Sequence, residues 1–279
     1  MFSAMPFSAI GTGTNPFIIE VDTSKAGSAN DAFQFTGALG DYDVVAKQSG
    51  VVVQTFTNLS DEETITFLNG TGIYILEVTP KAIGGFNRIR FNNGGDKLKI
   101  KDVKKWGNIS WSNFNGSFWS CENMLVTAND VPNLISITDM KRMFRGASLA
   151  NPNTLNWEVS NVTDMDQMFF SASSANPNVS NWDVSNVTDM EFMFINASSA
   201  NPNIRNWDVS NVTDMGRMLE GSNLSTANLD GCYINWSQLS LQSNVAFSAG
   251  TKQFTSAAQA GRDILVNTYN WTITDGGVV

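Results

Sequence analysis

The chain contains no histidine. The commonest general base and the commonest metal ligand are therefore missing, which weighs against proton-transfer catalysis and imidazole-bound metals. Its two cysteines, Cys121 and Cys232, lie too far apart for any metal-binding spacing and are expected to be small buried side chains. Charged residues make up only 15%, against about a quarter in an average domain. Ser, Thr, Asn and Gly take their place, as in proteins that work outside cells. The charge that remains is acidic, −9 net, which disfavours nonspecific binding to nucleic acid or an anionic membrane. No apolar run approaches the ~18 residues of a membrane span, so no membrane insertion is expected. Residues 1–17 show neither the basic start nor the contiguous apolar stretch of an export signal, from which the expectation is release by lysis.

What the chain has in abundance is itself. Asn156-Trp157-Glu158-Val159-Ser160-Asn161-Val162-Thr163-Asp164-Met165 returns 25 residues later as Asn181–Met190, and again as Asn206–Met215. Ser-Ala-Asn-Pro-Asn recurs at 174–178 and 199–203. A fixed period of this size marks a solenoid, in which each unit buries its apolar face against its neighbours. Met140, Met165, Met190 and Met215 are in phase, as are Met143, Met168, Met193 and Met218. These columns are expected to fill the interior, with Met190 and Met193 buried. Residues 117–124, with Phe118, Trp119 and Met124, read as an earlier, degenerate coil.

Around the repeats the chain divides into five parts. Residues 1–16 read as an extended arm, with Phe2, Met5 and Phe7 as candidate anchors in a partner; a frayed terminus is the alternative. Residues 17–83 carry short alternating strands at the spacing of a β-sandwich-like domain. Residues 84–124 form an entry segment, read as a hairpin of Arg88–Phe91 and Lys97–Lys101, followed by the solenoid's N-terminal cap. In that hairpin Ile89, Phe91, Leu98 and Ile100 would face one side and the basic residues the other. Between Lys81 and Lys105 there are eight basic and two acidic residues, +6 locally. They suit either docking to an acidic partner or protection of a sheet edge. Residues 125–219 are the repeats. Residues 220–279 are a C-terminal cap, with a helix near 256–265 and strands at 266–269 and 271–274.

The repeat columns carry the candidate chemistry. Stacked Asn161, Asn186 and Asn211, and the Asn-Pro-Asn blocks, would satisfy backbone at the bends or offer a polar ladder to a glycan. Asp139, Asp164, Asp189 and Asp214 would cap turns, or line up oxygen ligands for Ca²⁺. Trp157, Trp182 and Trp207 would stack inside or, if exposed, bind sugar faces together with Asn156, Asn181 and Asn206. Two carboxylates of the Asp column could be juxtaposed as in a polysaccharide-cleaving enzyme. Nothing in the pattern sets one apart from its neighbours, so no catalytic residue, cofactor or metal is assigned.

Trp-Asp-Val-Ser-Asn-Val-Thr-Asp-Met followed by Met-Phe resembles the BspA-type leucine-rich repeat, the DUF285 repeat of bacterial surface proteins. The likeness is close over 140–219. Arg90–Lys99 and Trp271–Gly277 resemble the flanks of the same proteins. The resemblance implies a surface adhesin, similar chains occurring among bacteriophage fibre and tail proteins, and it brings no catalytic residues. The fold expected is therefore mainly β: a β-sandwich-like domain, then a short leucine-rich-repeat-like solenoid with a parallel sheet, then a C-terminal cap. The function expected is that of a virion surface protein of tail-fibre or receptor-binding type. Its partners would be other virion proteins through the arm and a glycan or protein on the host surface. It would work as a homo-oligomer, a trimer being one option. A head fibre or decoration protein and a bacterial adhesin are the alternatives.

Overall fold

The computed structural model describes residues 15–279. Phe2, Met5 and Phe7 lie outside the described residues. The chain forms β1 (Phe17–Asp22), β2 (Ala32–Gln34), β3 (Asp41–Gln48), β4 (Val51–Ser60), β5 (Thr64–Thr66), β6 (Ile73–Pro80), β7 (Ile100–Lys105) and β8 (Leu125–Val126). Near the end come α1 (Thr226–Trp236), β9 (Ala246–Ser248), α2 (Gln259–Asn267) and β10 (Thr272–Thr274). Among the described residues no helix is long and apolar enough to cross a membrane.

Alternation builds the first layer. Phe17, Ile19 and Val21 of β1, Tyr42, Val44 and Ala46 of β3, and Tyr74, Leu76 and Val78 of β6 all point inward and are fully buried. The sheet runs β4-β3-β6-β1-β7-β8 and is antiparallel except for the last pair. The ribbon of β2 and β5 covers its inner face, where Phe35 meets Tyr42 edge-on at 5.2 Å and Phe67 stacks on Tyr74 at 3.8 Å. On the outer face charges pair internally, Lys47 with Glu77 at 2.6 Å, and Lys101 and Lys104 with Glu20 at 2.9 and 3.0 Å.

The entry hairpin is not formed. Asn92 and Asn93 both take positive φ, and the chain passes through turns until Ile100 opens β7, which pairs with β1 in the first sheet. The strict alternation fails at Lys99, which is fully buried while Leu98 is half-exposed. Its ammonium donates to the carbonyls of Ser28, Ala29 and Ala32 at 3.0, 2.9 and 2.8 Å and lies 3.5 Å from the buried Asp96. The local excess of basic residues is thus drawn largely into contacts within the chain.

From β8 onward the repeats stack, and one apolar core continues from the sheet through them. Met140, Met165, Met190 and Met215 are fully buried, as are Met143, Met168, Met193 and Met218. Phe118, Phe144, Phe169 and Phe194 form a column with centroids 5.4 to 5.8 Å apart. The expected parallel sheet is absent from the stack. Successive coils meet in single-residue parallel bridges at Asp139, Asp164, Asp189 and Asp214.

The cause is local. Alternate amides donate to the next coil, as from Met140 to Asp164, Arg142 to Asp166 and Phe144 to Met168. The amides between them close four-residue turns, Met143 to Met140 and Arg145 to Arg142. Positive φ at Arg142 and Gly146, and at their counterparts, curls the chain within each coil. It never extends far enough for a strand.

At the end of the stack the helix expected near 256–265 and the strand at 271–274 are present as α2 and β10, joined by a helix and a strand that were not expected, α1 and β9. α1 has the helical spacing Leu229, Cys232, Tyr233, Trp236, all buried, and Ser225 caps it by accepting from the Asn228 amide. Val266 and Asn267 belong to α2, not to a strand. β9 pairs in parallel with β10 and continues the inter-coil bonds, Met215 N to Ala246 O at 3.1 Å. Both cysteines are free and buried, and burial pushes both thiols up.

Candidate functional site

Each coil alternates through Asn-Trp-Asp-Val, with Glu158 for Asp in the first, the Asn and the acidic residue outside and the Trp and Val inside. Trp157, Trp182 and Trp207 are only 3, 4 and 2% exposed. Their rings lie parallel, 6.4 and 6.3 Å apart. The indole N–H groups of Trp182 and Trp207 donate to Thr154 O and Val179 O, each at 3.0 Å. Asn156, Asn181 and Asn206 are exposed, with no ring face beside them to share a sugar. The glycan site expected on these six residues depended on exposed rings, and burial removes that condition. An aromatic ring stabilises the stack more by leaving water than by waiting in it.

The Asn columns are structural. Asn161, Asn186 and Asn211 donate to the carbonyls of Ile135, Ser160 and Ser185 in the preceding coil at 2.9, 2.8 and 2.7 Å. Asn151 and Asn176 accept the amides of Asn176 and Asn201, both at 2.9 Å.

The Asp column caps turns. Asp139, Asp164 and Asp189 each accept the amide two residues on at 2.9 Å, and Asp214 does so at 2.8 Å. Asn113 makes the same turn with the Asn115 amide at 2.6 Å, which shows that the turn needs an acceptor and not a charge. Among the described residues no group of three or more Asp, Glu or Cys could hold a metal ion.

Stacking such charges has a consequence for pH. Burial raises the pKa of Asp189, helped by the charges of Asp166 and Asp214 and opposed by the Glu191 amide and Lys141. Asp164 is raised in the same way. The folded protein therefore holds these protons to higher pH than the unfolded chain does. The cost of ionisation grows as pH rises through the carboxylate range and is fully present at neutrality. Asp189→Asn should stabilise the protein by a few tenths of a kcal/mol at pH 7, the scale of half-exposed charge interactions. The gain should vanish below pH ~4. Paired thermal melts across that range check it; an Asn variant less stable at pH 7 would contradict the assignment.

A second set of positions emerges when the coils are laid on one another. From residue 151 onward most positions of the repeat are kept; among those that change, three lie close together in the chain. The first reads Lys141, Asp166, Glu191, Gly216; the second Arg142, Gln167, Phe192, Arg217; the third Arg145, Phe170, Ile195, Glu220. All three lie on one side of the stack, mostly half-buried, with Asp166, Gln167 and Ile195 buried and Arg217 exposed. The second column has φ between 53° and 58° throughout, a region in which a bulky side chain costs of order 1–3 kcal/mol. Gly116 fills the same place in the first coil. Nearby, the other left-handed column reads Gly146, Ser171, Asn196, Gly221, the small residues such a backbone favours. Large side chains are kept where the backbone resists them.

These side chains touch. The Arg145 guanidinium lies 5.1 Å from the Trp119 ring and 4.2 Å from that of Phe170; Arg142 lies 5.3 Å from Trp119. Phe170 meets Phe192 edge-on at 6.5 Å, and Arg217 covers Phe192 at 5.7 Å. Lys141 is paired with Asp166 at 2.6 Å and Arg217 with Glu220 at 2.8 Å. Among the described residues no carboxylate is within ion-pair distance of Arg142 or Arg145. The Arg142 Nε is buried without a hydrogen-bond partner. Burial, and then the charge of Arg142, lower the pKa of Arg145, opposed by the charge of Asp166. Reading the sequence column by column for interior residues misses this stripe; comparing the repeats with one another finds it. Elsewhere, a cleft of about 370 Å³ lined by Asp41, Asn58, Leu59, Ser60 and Lys81 brings no reactive group together beyond an ion pair of Lys81 with Asp43.

The model of a family described as Mycoplasma protein of unknown function, DUF285, matches residues 112–232. The match spans the irregular first coil, the repeats and the start of α1. The flanking blocks at 90–99 and 271–277 fall outside it. No curated protein and no solved structure matches the chain.

Proposed function

We propose that the protein is a virion surface component of a bacteriophage, of tail-fibre or receptor-binding type. In this reading the N-terminal part attaches it to the particle, and the repeat stack, a solenoid of the leucine-rich-repeat kind, is presented to the host surface. The observation that carries the reading is the division of labour within the repeat. Its recurrent positions build a continuous interior of Met, Phe and Trp, while several of the positions that change, among them Arg142, Phe170, Phe192 and Arg217, stand together on one partly exposed side. A scaffold that holds its fold constant and changes one face is suited to recognition, as stacked repeats generally are. The low charge and the resemblance of the repeats to those of surface proteins agree with it.

The test is to locate the chain. Mass spectrometry of purified particles and of host envelopes should find it with the particles. Finding it in the envelope alone would favour a bacterial adhesin, and finding it in neither would end the proposal. Attachment has its own check. Asn15 O accepts the Asn108 amide at 2.9 Å, so a deletion should stop before it. Removing residues 1–14 should leave a folded protein that no longer enters particles. Normal incorporation of the shortened chain would move the attachment point elsewhere.

A further inference from the structure

We propose that the stripe from Trp119 to Arg217 binds an acidic polysaccharide, with sugar rings packed on Phe170 and Phe192 and their carboxylates paired with Arg142 and Arg145. This deepens the reading above by naming the contact surface and its ligand class. Three independent observations converge on it. The side chains here change from coil to coil while the Met columns beside them do not. The column through Arg142 and Phe192 holds large residues in a left-handed backbone that glycine would fill more easily. And in a chain of net charge −9, the two arginines stand together without a carboxylate partner, one of them with a buried, unpaired Nε.

The chemistry selects the ligand. A guanidinium is a planar fork matched to a carboxylate. Arg145 is held between two rings, 5.1 and 4.2 Å away, so little rotamer freedom remains to be lost on binding. Phe170 and Phe192 are half-buried with an arginine over one face of each; the remaining ring surface is apolar and has little conformational freedom, which suits the C–H face of a sugar. A peptide is less well served. Extended peptides bind by adding a strand to a free edge, and the amides along this stripe are already engaged. Arg142, Gln167 and Phe192 donate to Asp166, Glu191 and Gly216 of the following coil, each at 2.9 Å. Recognition must come from side chains alone.

The experiment uses the full chain and three probes of matched length: oligogalacturonate, a neutral maltooligosaccharide, and polyglutamate. Calorimetry at physiological salt should show binding of oligogalacturonate, with the other two at least tenfold weaker. Arg145→Gln should weaken that binding at least tenfold. Phe192→Gly, placed where the backbone suits glycine, should weaken it severalfold and melt no earlier than the wild type. Equal binding of polyglutamate would reduce the effect to bare charge and overturn the proposal. So would failure of oligogalacturonate to bind, or binding indifferent to both variants. A separate arm asks whether the isolated protein blocks attachment of particles to host cells. If wild type and both variants block equally, the display reading stands and the stripe assignment falls. If oligogalacturonate binds through the stripe but attachment is not blocked, the stripe stands and the display reading falls.

Discussion

Trp182→Ala should destabilise the protein by about 3–5 kcal/mol, the usual cost of deleting a fully buried large aromatic. Trp182 is the middle ring of three, with Trp157 and Trp207 stacked on either side at 6.4 and 6.3 Å. Its removal opens a void between two rings that are themselves packed in the interior. Trp207 is held by the bond from its indole N–H to Val179 O. The lost hydrogen bond matters less than the lost packing. Thr154 O, which accepts from the Trp182 indole, also accepts the Trp157 amide at 3.1 Å and would not be left unpaired. Trp182→Phe should therefore lose less than half as much. Equilibrium denaturation of the two variants checks the order. In a stack each coil is stabilised through its neighbours, so the loss should be seen by probes in the flanking coils as well. A Trp182→Ala protein that unfolds at the wild-type midpoint would mean that the ring is not an interior element.

That ring's orientation could have been read from the sequence. In Asn181-Trp182-Asp183-Val184 polar and apolar residues alternate, which puts Trp182 on the side of Val184. The Met columns and the inward residues of β1, β3 and β6 were legible for the same reason: a strict period leaves one face to bury. The helix α1 was also written plainly, in Leu229, Cys232, Tyr233 and Trp236 behind a Ser225 cap. Departure from the repeat hid it. Other features depend on partners far away in the chain. Lys97-Leu98-Lys99-Ile100-Lys101 alternates like an exposed strand, and only contact with residues 28–32 reverses the sense of Lys99. Left-handed backbone at Arg142, Gln167 and Phe192 has no local sign either, since none of these residues favours it. The candidate stripe was visible only as variation: neighbouring positions that change beside Met columns that do not.

Lys99→Met should cost about 3–5 kcal/mol, the price of leaving one member of a buried ion pair alone. Lys99 and Asp96 are both fully buried, and between them they fasten the segment around Ser28 to the start of β7. Asp96 accepts the amides of Ser28 and Gln34 at 2.5 and 2.6 Å and the Ser28 hydroxyl at 2.7 Å. The lysine bonds three carbonyls and the same hydroxyl, the last at 2.9 Å. Even the backbone is shaped to this pair: a Cβ on Gly27 would lie 2.1 Å from the Asp96 carboxylate. Methionine matches the length of lysine but leaves the carboxylate uncompensated and the carbonyls of Ser28 and Ala32 without their donor. Asp96→Asn in the Lys99→Met background removes the stranded charge, so the double variant should be more stable than the sum of the single losses by about 0.5–3 kcal/mol. It should still fall short of the wild type, because the carbonyls stay unpaired. Denaturant unfolding of the four proteins measures the coupling directly. A single Lys99→Met loss below about 1 kcal/mol, or additive losses, would show that the pair does not hold the entry segment in place.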